Sequence, residues 1–264
     1  MTAATGRWGD LRKRVASAIV MAVIGAVAIG WGGLAFKALA CIVTGLMIWE
    51  LSAMTAPDRS TRAILLGLIA AGTLSLILIM HSPFYLPLLI LPPIAGLWRP
   101  RRDRRFFTLY ALAIMLTGYG LVALREGQGV GAITWIICVV VVSDVLGYFV
   151  GRMVGGPKFW PKISPKKTWS GTVAGWIGAL ILGFVFTRIG GGTALIWMSP
   201  LLAFAGQLGD IFESWLKRRS AVKDSSSLIP GHGGVLDRFD ALIGVVLVLL
   251  ILAQFGELPL TAAG

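Results

Sequence analysis

The sequence predicts an all-α, polytopic integral membrane protein with about nine membrane-spanning helices, and three observations lead to this fold class. Hydrophobic residues make up 56% of the 264 positions and charged residues only 14%, whereas soluble domains carry about 25% charged residues. The mean hydropathy is +0.83. The apolar residues form long segments, and the basic residues lie mainly in every second connection between them. These features favour a single helical membrane domain over residues 1–264.

Nine apolar segments are considered as helices that cross a bilayer, which requires roughly 17 to 25 residues. They lie at about residues 15–31, 38–54, 63–80, 83–98, 106–124, 130–150, 171–187, 194–215 and 241–256. The first follows Arg12, Lys13 and Arg14, a pattern also typical of signal peptides, but eight further segments favour an uncleaved first helix. The fourth contains four prolines, which membrane helices tolerate where neighbouring groups satisfy the freed backbone.

The distribution of basic residues predicts the orientation in the membrane. If the chain starts in the cytoplasm and nine helices alternate in direction, 21 of the 24 lysines and arginines fall in cytoplasmic segments. Short cytoplasmic loops retain positive charge, so we expect the N-terminus inside and the C-terminus outside a bacterial-type inner membrane. The net charge of +12 then favours anionic membrane lipid as a partner. Because these charges are dispersed over five short loops, no nucleic-acid binding is expected.

Six of the twelve acidic residues lie within or at the cytoplasmic ends of predicted helices. They are Glu50, Asp144, Asp210, Glu213, Asp237 and Asp240. A carboxylate in a membrane segment costs about 2.5–3.5 kcal/mol on insertion scales, so such groups usually face a wet cavity and mark a functional site. The predicted topology brings all six to one membrane face. We therefore expect the functional site to face the cytoplasm.

The eighth segment carries the densest polar pattern, GQLGDIFESWLKRR. Its polar residues are spaced at i, i+3, i+4 and i+7 and so share one helix face: Asp210, Glu213, Ser214 and Lys217. In the next segment, Asp237 and Asp240 lie one helical turn apart. Carboxylates from two adjacent helices suit Mg²⁺, which takes one or two carboxylates together with phosphate oxygens. The predicted magnesium ligands are Asp210 and Asp237.

Basic side chains and a glycine-rich turn accompany these acids. The turn PGHGG, residues 230–234, allows close backbone approach and aims N–H groups at an anion. The cations available to clamp phosphoryl oxygens are Lys217, Arg218, Lys223 and Arg238. Each feature alone also has a structural explanation: a charge ladder along one helix, an ordinary turn, or a membrane anchor. Together they predict a site that handles phosphates.

A second polar cluster lies between the sixth and seventh segments. Asp144 stands one turn before Gly147 and two turns before Gly151, and this spacing of small residues also permits close helix packing with no catalytic role. A helix N-terminus flanked by lysines favours anion binding. The residues just before the seventh segment that fit this description are Lys166, Lys167 and Thr168.

A longer signature connects the eighth and ninth segments. It reads Ser214-x-x-Lys217-Arg218, Lys223-Asp224, Pro230-Gly231-His232-Gly233-Gly234 and Asp237-Arg238-x-Asp240. This signature resembles that of the phosphatidate cytidylyltransferases, the CDP-diacylglycerol synthases. The SPKKTW stretch and the preceding D-x-x-x-Y-x-x-G-R are similar to the central region of that family, so the resemblance covers residues 140–240. One departure is Ser170, where the family often has glutamate, which argues against a role for an acid at that position.

The resemblance implies that CTP and phosphatidate give CDP-diacylglycerol and pyrophosphate with Mg²⁺, and it implies a homodimer. The mechanism that we expect is direct displacement at the α-phosphorus. The residues expected to be catalytic are Asp210, Asp237, Lys217, Lys223 and Arg238. The residues expected to bind substrate or cation are Ser214, Arg218, Asp224, His232, Gly233, Gly234, Asp240, Asp144, Lys166, Lys167 and Thr168. Asp144 either binds a second cation or orients a lysine, and His232 either contacts a phosphate or holds the turn.

Two other functions fit the same charges. A CTP-dependent lipid kinase would transfer the γ-phosphoryl group, and an ion-coupled transporter would also carry acids within the membrane. A CDP-alcohol phosphotransferase is disfavoured, because its D-G-x-x-A-R pattern followed by G-x-x-x-D-x-x-x-D is missing. With only two histidines and two cysteines, a zinc centre of the usual kind is not expected.

Overall fold

The computed structural model describes residues 3–56, 61–98, 101, 103–256 and 258. Its α-helices are α1 (Ala3–Trp31), α2 (Gly33–Thr55), α3 (Thr61–Met80), α4 (Leu91–Ala95), α5 (Arg104–Met153), α6 (Trp169–Arg188), α7 (Leu195–Arg219) and α8 (Leu236–Leu252). Two 3₁₀ helices, Pro83–Ile90 and Gly96–Trp98, flank α4. The protein is a helical membrane protein, as the composition predicted.

Within the described part of the chain, six helices are long and apolar enough to cross a membrane: α1 over Arg14–Trp31, α2, α3, α5, α6 and α7. Helix α5 has 50 residues and takes in both the fifth and the sixth predicted segments. Gly129 interrupts the helix between the two segments, because its φ of 80° is not helical. Glycine adopts this backbone conformation readily, whereas other residues are strained in it. Helix α8 has 17 residues. A total of nine spans and the N-in, C-out orientation stay predictions.

The fourth predicted segment does not form one continuous helix. Residues 83–98 form the two 3₁₀ helices and the five-residue α4 instead. Pro83, Pro87, Pro92 and Pro93 explain the difference, because proline lacks an N–H donor and its ring clashes with the preceding turn of an α-helix. The segment is helical but shorter than the six helices of membrane length, and its crossing of a bilayer stays a prediction.

A short β-hairpin, absent from the all-α prediction, precedes α6. Strand β1 (Lys158–Trp160) pairs with β2 (Ser164–Thr168) in antiparallel fashion, and Lys158 lies opposite Thr168. The Thr168 hydroxyl then accepts a hydrogen bond of 3.3 Å from the Gly171 N–H and caps α6. The hairpin therefore places the lysines of SPKKT directly at the start of a membrane helix.

The chain divides into two compact units. Unit 1 comprises Met1–Val122 and Ser220–Arg238, and unit 2 comprises Ala123–Arg219 and Phe239–Gly264. In unit 1, Arg101 is buried and its guanidinium stacks 3.6 Å from the centre of the Phe107 ring. It also donates hydrogen bonds to the Gly96 carbonyl at 2.7 Å and to Thr55 Oγ1 at 2.8 Å. This arginine, which the charge pattern assigned to the membrane surface, ties the end of α2 to the turn after α4.

In unit 2, glycines allow neighbouring helices to approach closely. A Cβ on Gly171 would lie 3.1 Å from the Gly151 Cα and would overlap the Gly147 carbonyl oxygen, so the predicted small-residue packing between the second half of α5 and α6 is confirmed. On α7, a Cβ on Gly209 would overlap the Asp240 carbonyl oxygen. Contact of this kind is how small residues bring helix backbones together in a membrane. It sets the residue after Gly209, which is Asp210, beside the first turns of α8.

Candidate active site

The polar face predicted for α7 forms side-chain contacts along that helix. Ser214 Oγ donates to Asp210 Oδ1 at 3.3 Å, and Lys217 Nζ forms an ion pair with Glu213 Oε2 at 2.8 Å. Glu213 is fully buried and Lys217 is 9% exposed. Both pairs have i,i+4 spacing, as the sequence predicted. A buried pair of this kind is retained only with good geometry.

Asp240 of α8 joins the two acids of α7. Its carboxyl group lies near enough to Asp210 and Glu213 to interact electrostatically with both, and its Oδ1 accepts from the Ala241 N–H at 2.7 Å. We call Asp210, Glu213 and Asp240 the carboxylate cluster. Adjacent carboxylates repel one another unless a proton or a cation lies among them. The cluster is therefore built to receive positive charge.

Lys167 of β2 supplies part of that charge. Its ammonium group forms an ion pair with Asp210 Oδ2. Successive side chains of a strand point to opposite faces, and of the two neighbouring lysines Lys166 is exposed while Lys167 is 24% exposed at its side chain. The Asp210 side chain is 32% exposed. The Asp210 end of the cluster is therefore partly exposed, whereas its Glu213 end is buried.

Within the described residues, no group of three or more histidine, cysteine, aspartate or glutamate side chains is arranged to hold a metal ion by itself. Mg²⁺ does not require such a cage, because it usually takes one or two carboxylates and completes its shell with water and phosphate oxygens. Asp210 and Asp240 are near enough to interact electrostatically and would provide two hard oxygen donors of this type. The donor set therefore fits Mg²⁺ bound together with a phosphate substrate.

The close approach at Gly209 gives a prediction for this cluster. We expect Gly209→Ala to lower activity about 100-fold, because a displacement of about 1 Å at a catalytic group has an effect of that size. The new methyl group would push α8, and with it Asp240, away from Asp210. The measurement is kcat/KM of the purified protein for the expected cytidylyl transfer, and membrane insertion is measured in parallel.

Gly206→Ala is the matched control, since it lies one turn earlier on the same helix and faces the same neighbour. A Cβ there would lie 3.4 Å from Val245 Cγ2 and 3.5 Å from Ala241 Cβ, which is ordinary packing. Equal activity of the two variants would contradict the proposed dependence on the Gly209 contact.

The signature loop, residues 225–236, belongs to unit 1 and leads into α8. Asp237 is 8% exposed, and its Oδ2 accepts three hydrogen bonds: from the Ser225 N–H at 2.9 Å, from Ser225 Oγ at 2.9 Å and from the Gly234 N–H at 2.7 Å. The sequence predicted that N–H groups of the PGHGG turn are aimed at an anion. In the structure the Gly234 N–H is used inside the loop, and anion binding by the turn stays a prediction.

His232 also makes a contact within unit 1. Its Nδ1 lies 2.8 Å from Ser17 Oγ, and the same hydroxyl donates to the Pro230 carbonyl at 3.0 Å. Two roles were left open for His232. The structure shows a contact that suits the role of holding the turn, because the ring lies against Ser17 of α1. Among the other predicted residues of this unit, the exposed side chains include Lys223, Asp224 and Arg238. They keep their predicted roles as phosphate-binding or ligand-binding candidates.

Three further predicted residues lie in unit 2. Arg218 and Asp144 are exposed, and Asp144 precedes the glycines that pack α5 against α6. Thr168, predicted to bind an anion, is buried, and its hydroxyl serves as the cap of α6. Glu50 of α2 contacts the signature loop. The sequence analysis had placed Glu50 at the same membrane face as Asp237 but had not predicted this contact.

The sequence of this chain is similar to those of known enzymes. The model of the cytidylyltransferase family matches residues 12–255. The chain belongs to this family. It is 31% identical over 259 residues to the phosphatidate cytidylyltransferase of Brucella abortus, and the match covers 94% of this chain and 95% of that protein.

Two further relatives match over shorter lengths. The phosphatidate cytidylyltransferase of Bacillus subtilis is 40% identical over 148 residues, which is 53% of this chain and 55% of that protein. That of Haemophilus influenzae is 42% identical over 127 residues, 45% of this chain and 44% of that protein. Family membership identifies this chain as a nucleotidyltransferase embedded in a membrane.

Proposed function

We propose that this cytidylyltransferase-family protein transfers a cytidylyl group from CTP to phosphatidate and releases pyrophosphate. The relatives are phosphatidate cytidylyltransferases by name, which supports the choice of substrates. The observation that carries the proposal is the carboxylate cluster with Lys167 and Lys217 against it. Alternating acids and lysines at the end of a membrane helix suit a site where a metal–triphosphate complex meets a lipid headgroup.

The proposed reaction is a direct displacement. A phosphate oxygen of phosphatidate forms a bond to the α-phosphorus of CTP, and the bond from that phosphorus to the bridging α–β oxygen breaks, so that pyrophosphate leaves with the electron pair. The phosphate monoester is already anionic at neutral pH and needs no strong base. Catalysis then consists of positioning and charge neutralisation.

The residues of the carboxylate cluster have distinct roles in this proposal. Asp210 and Asp240 would hold Mg²⁺, which when bound supplies positive charge to the phosphates of CTP. Lys167 is placed to neutralise phosphate oxygens beside Asp210, and the ion pair with Lys217 holds Glu213 in position. The metal-binding role of Asp237 and the phosphate-binding roles of Lys223, Arg218 and Arg238 rest on the residue pattern and on the family resemblance, and they are part of this proposal. Dependence on Mg²⁺, an inner-membrane location, a cytoplasmic site and a homodimer are parts of the same proposal.

The test is a product analysis with purified protein, Mg²⁺, phosphatidate and CTP labelled on either the α- or the γ-phosphate. We expect the α-label in a lipid product and the γ-label in pyrophosphate. A lipid kinase would instead place the γ-label on lipid and release CDP. An ion-coupled transporter would form neither product. Either of these outcomes would overturn the proposal.

A further inference from the structure

Glu50 is a fully buried carboxylate in the membrane helix α2. Its two oxygens accept four hydrogen bonds from residues that follow it by 175 to 186 positions in the chain. Oε1 accepts from the Val235 N–H at 2.9 Å and from Ser226 Oγ at 2.6 Å. Oε2 accepts from the Leu236 N–H at 2.7 Å and from Ser225 Oγ at 3.1 Å. All four partners belong to the signature loop as defined above.

These contacts replace the usual N-terminal cap of α8. The first N–H groups of a helix lack partners within the helix and are normally satisfied by a nearby side chain of the same segment. Here a carboxylate from α2 takes the donors of Val235 and Leu236 at the start of α8. A negative charge at a helix N-terminus is also favoured by the helix dipole. This explains how a buried acid is tolerated inside α2.

Glu50 and Asp237 hold the loop from two sides. Ser225 Oγ lies within hydrogen-bonding distance of both carboxylates, at 3.1 Å from Glu50 Oε2 and 2.9 Å from Asp237 Oδ2. Gly234 lies between the same groups, since a Cβ on it would be 2.6 Å from Glu50 Oε1 and would overlap Ser225 Oγ. The loop therefore has little freedom while both carboxylates are present.

From this geometry we infer that Glu50 is a positioning residue of the active site. It fixes residues 225–236 and the first turn of α8, and through them the orientation of Asp237 and Arg238. This inference rests on the proposed cytidylyl transfer for its effect on activity. The positioning itself concerns only the loop and is measurable without substrate.

The test compares Glu50→Gln with wild type in the full-length protein. The amide keeps the size of the carboxylate but presents an NH₂ group where an oxygen accepted, so one backbone N–H, of Val235 or Leu236, loses its acceptor. We expect kcat/KM for CTP to fall about 100-fold, as for other small displacements of a catalytic group. We also expect faster hydrogen exchange confined to residues 225–236.

Thr44→Val is the matched control in the same helix. Thr44 Oγ1 is buried and, among the described residues, makes no hydrogen bond, so its removal should change neither activity nor loop exchange. The inference is overturned if Glu50→Gln keeps kcat/KM within about threefold of wild type. It is also overturned if exchange rises equally throughout the protein, because Glu50 would then be a general stabiliser. If wild type makes no CDP-lipid, the proposed function falls, and loop exchange alone decides whether Glu50 holds the loop.

Discussion

Replacing Asp210 with asparagine is expected to lower cytidylyl transfer about 10³-fold, in line with the loss of a preorganised electrostatic group. Asparagine has nearly the same shape but no charge, so it would neither bind Mg²⁺ well nor pair with Lys167. Because the Asp210 side chain is 32% exposed, loss of its charge should not prevent insertion or folding. The measurement is kcat with saturating CTP and Mg²⁺, together with thermal unfolding of the purified protein.

Glu126→Gln provides the matched control, since it makes the same chemical change on an exposed side chain near the Gly129 break in α5. It should retain wild-type turnover. Substantial turnover by Asp210→Asn would exclude Asp210 as a metal ligand and would contradict the proposed role of the carboxylate cluster.

Replacing Gly234 with alanine is the second change for which we expect a large effect. The added methyl group would lie 2.6 and 2.7 Å from the two Glu50 oxygens and would overlap the Ser225 hydroxyl. Overpacking of this kind costs about 1–3 kcal/mol, and displacement of the loop should reduce activity about 100-fold. Activity and the melting temperature of the purified protein are the two measurements.

Gly72→Ala is the control for this substitution. Gly72 lies in α3 of the same unit, and a Cβ there has no neighbour within 4 Å. Alanine is also the better helix former, so stability and turnover should equal or exceed those of wild type. If Gly234→Ala behaved like Gly72→Ala, the loop would be free to move away from Glu50, which contradicts the tight packing described above.

Most helices could be predicted because their cause is local. A run of apolar residues long enough to cross a bilayer must form a helix to satisfy its backbone, and each such segment outside 83–98 is helical in the structure. The two exceptions have different causes. The four prolines of the fourth segment prevent a regular α-helix there. SPKKT forms a strand although lysine and proline are not typical of strands, because it pairs with β1.

The candidate site was only partly predictable, because residue spacing describes one helix at a time. The i,i+4 pairs along α7 follow from helix geometry and appear as expected. Which side chain of α8 meets them depends on how α8 is rotated. The backbone contact between Gly209 and Asp240 sets that rotation and brings Asp240 to Asp210. The sequence had placed Asp240 among the ligand-binding residues but not among the metal ligands.

By itself, the sequence determined that this chain lies in a membrane, that its charged residues are few, that some of them form a recognisable signature, and to which enzymes it is similar. Composition and motif suffice for these conclusions, since each depends on residues close together in the chain. Only the tertiary structure decided that Glu50 binds the loop that follows it by about 175 residues, and that Gly234 must be small. Such contacts depend on the packing of whole helices, and no local pattern records which buried carboxylate will meet which backbone N–H.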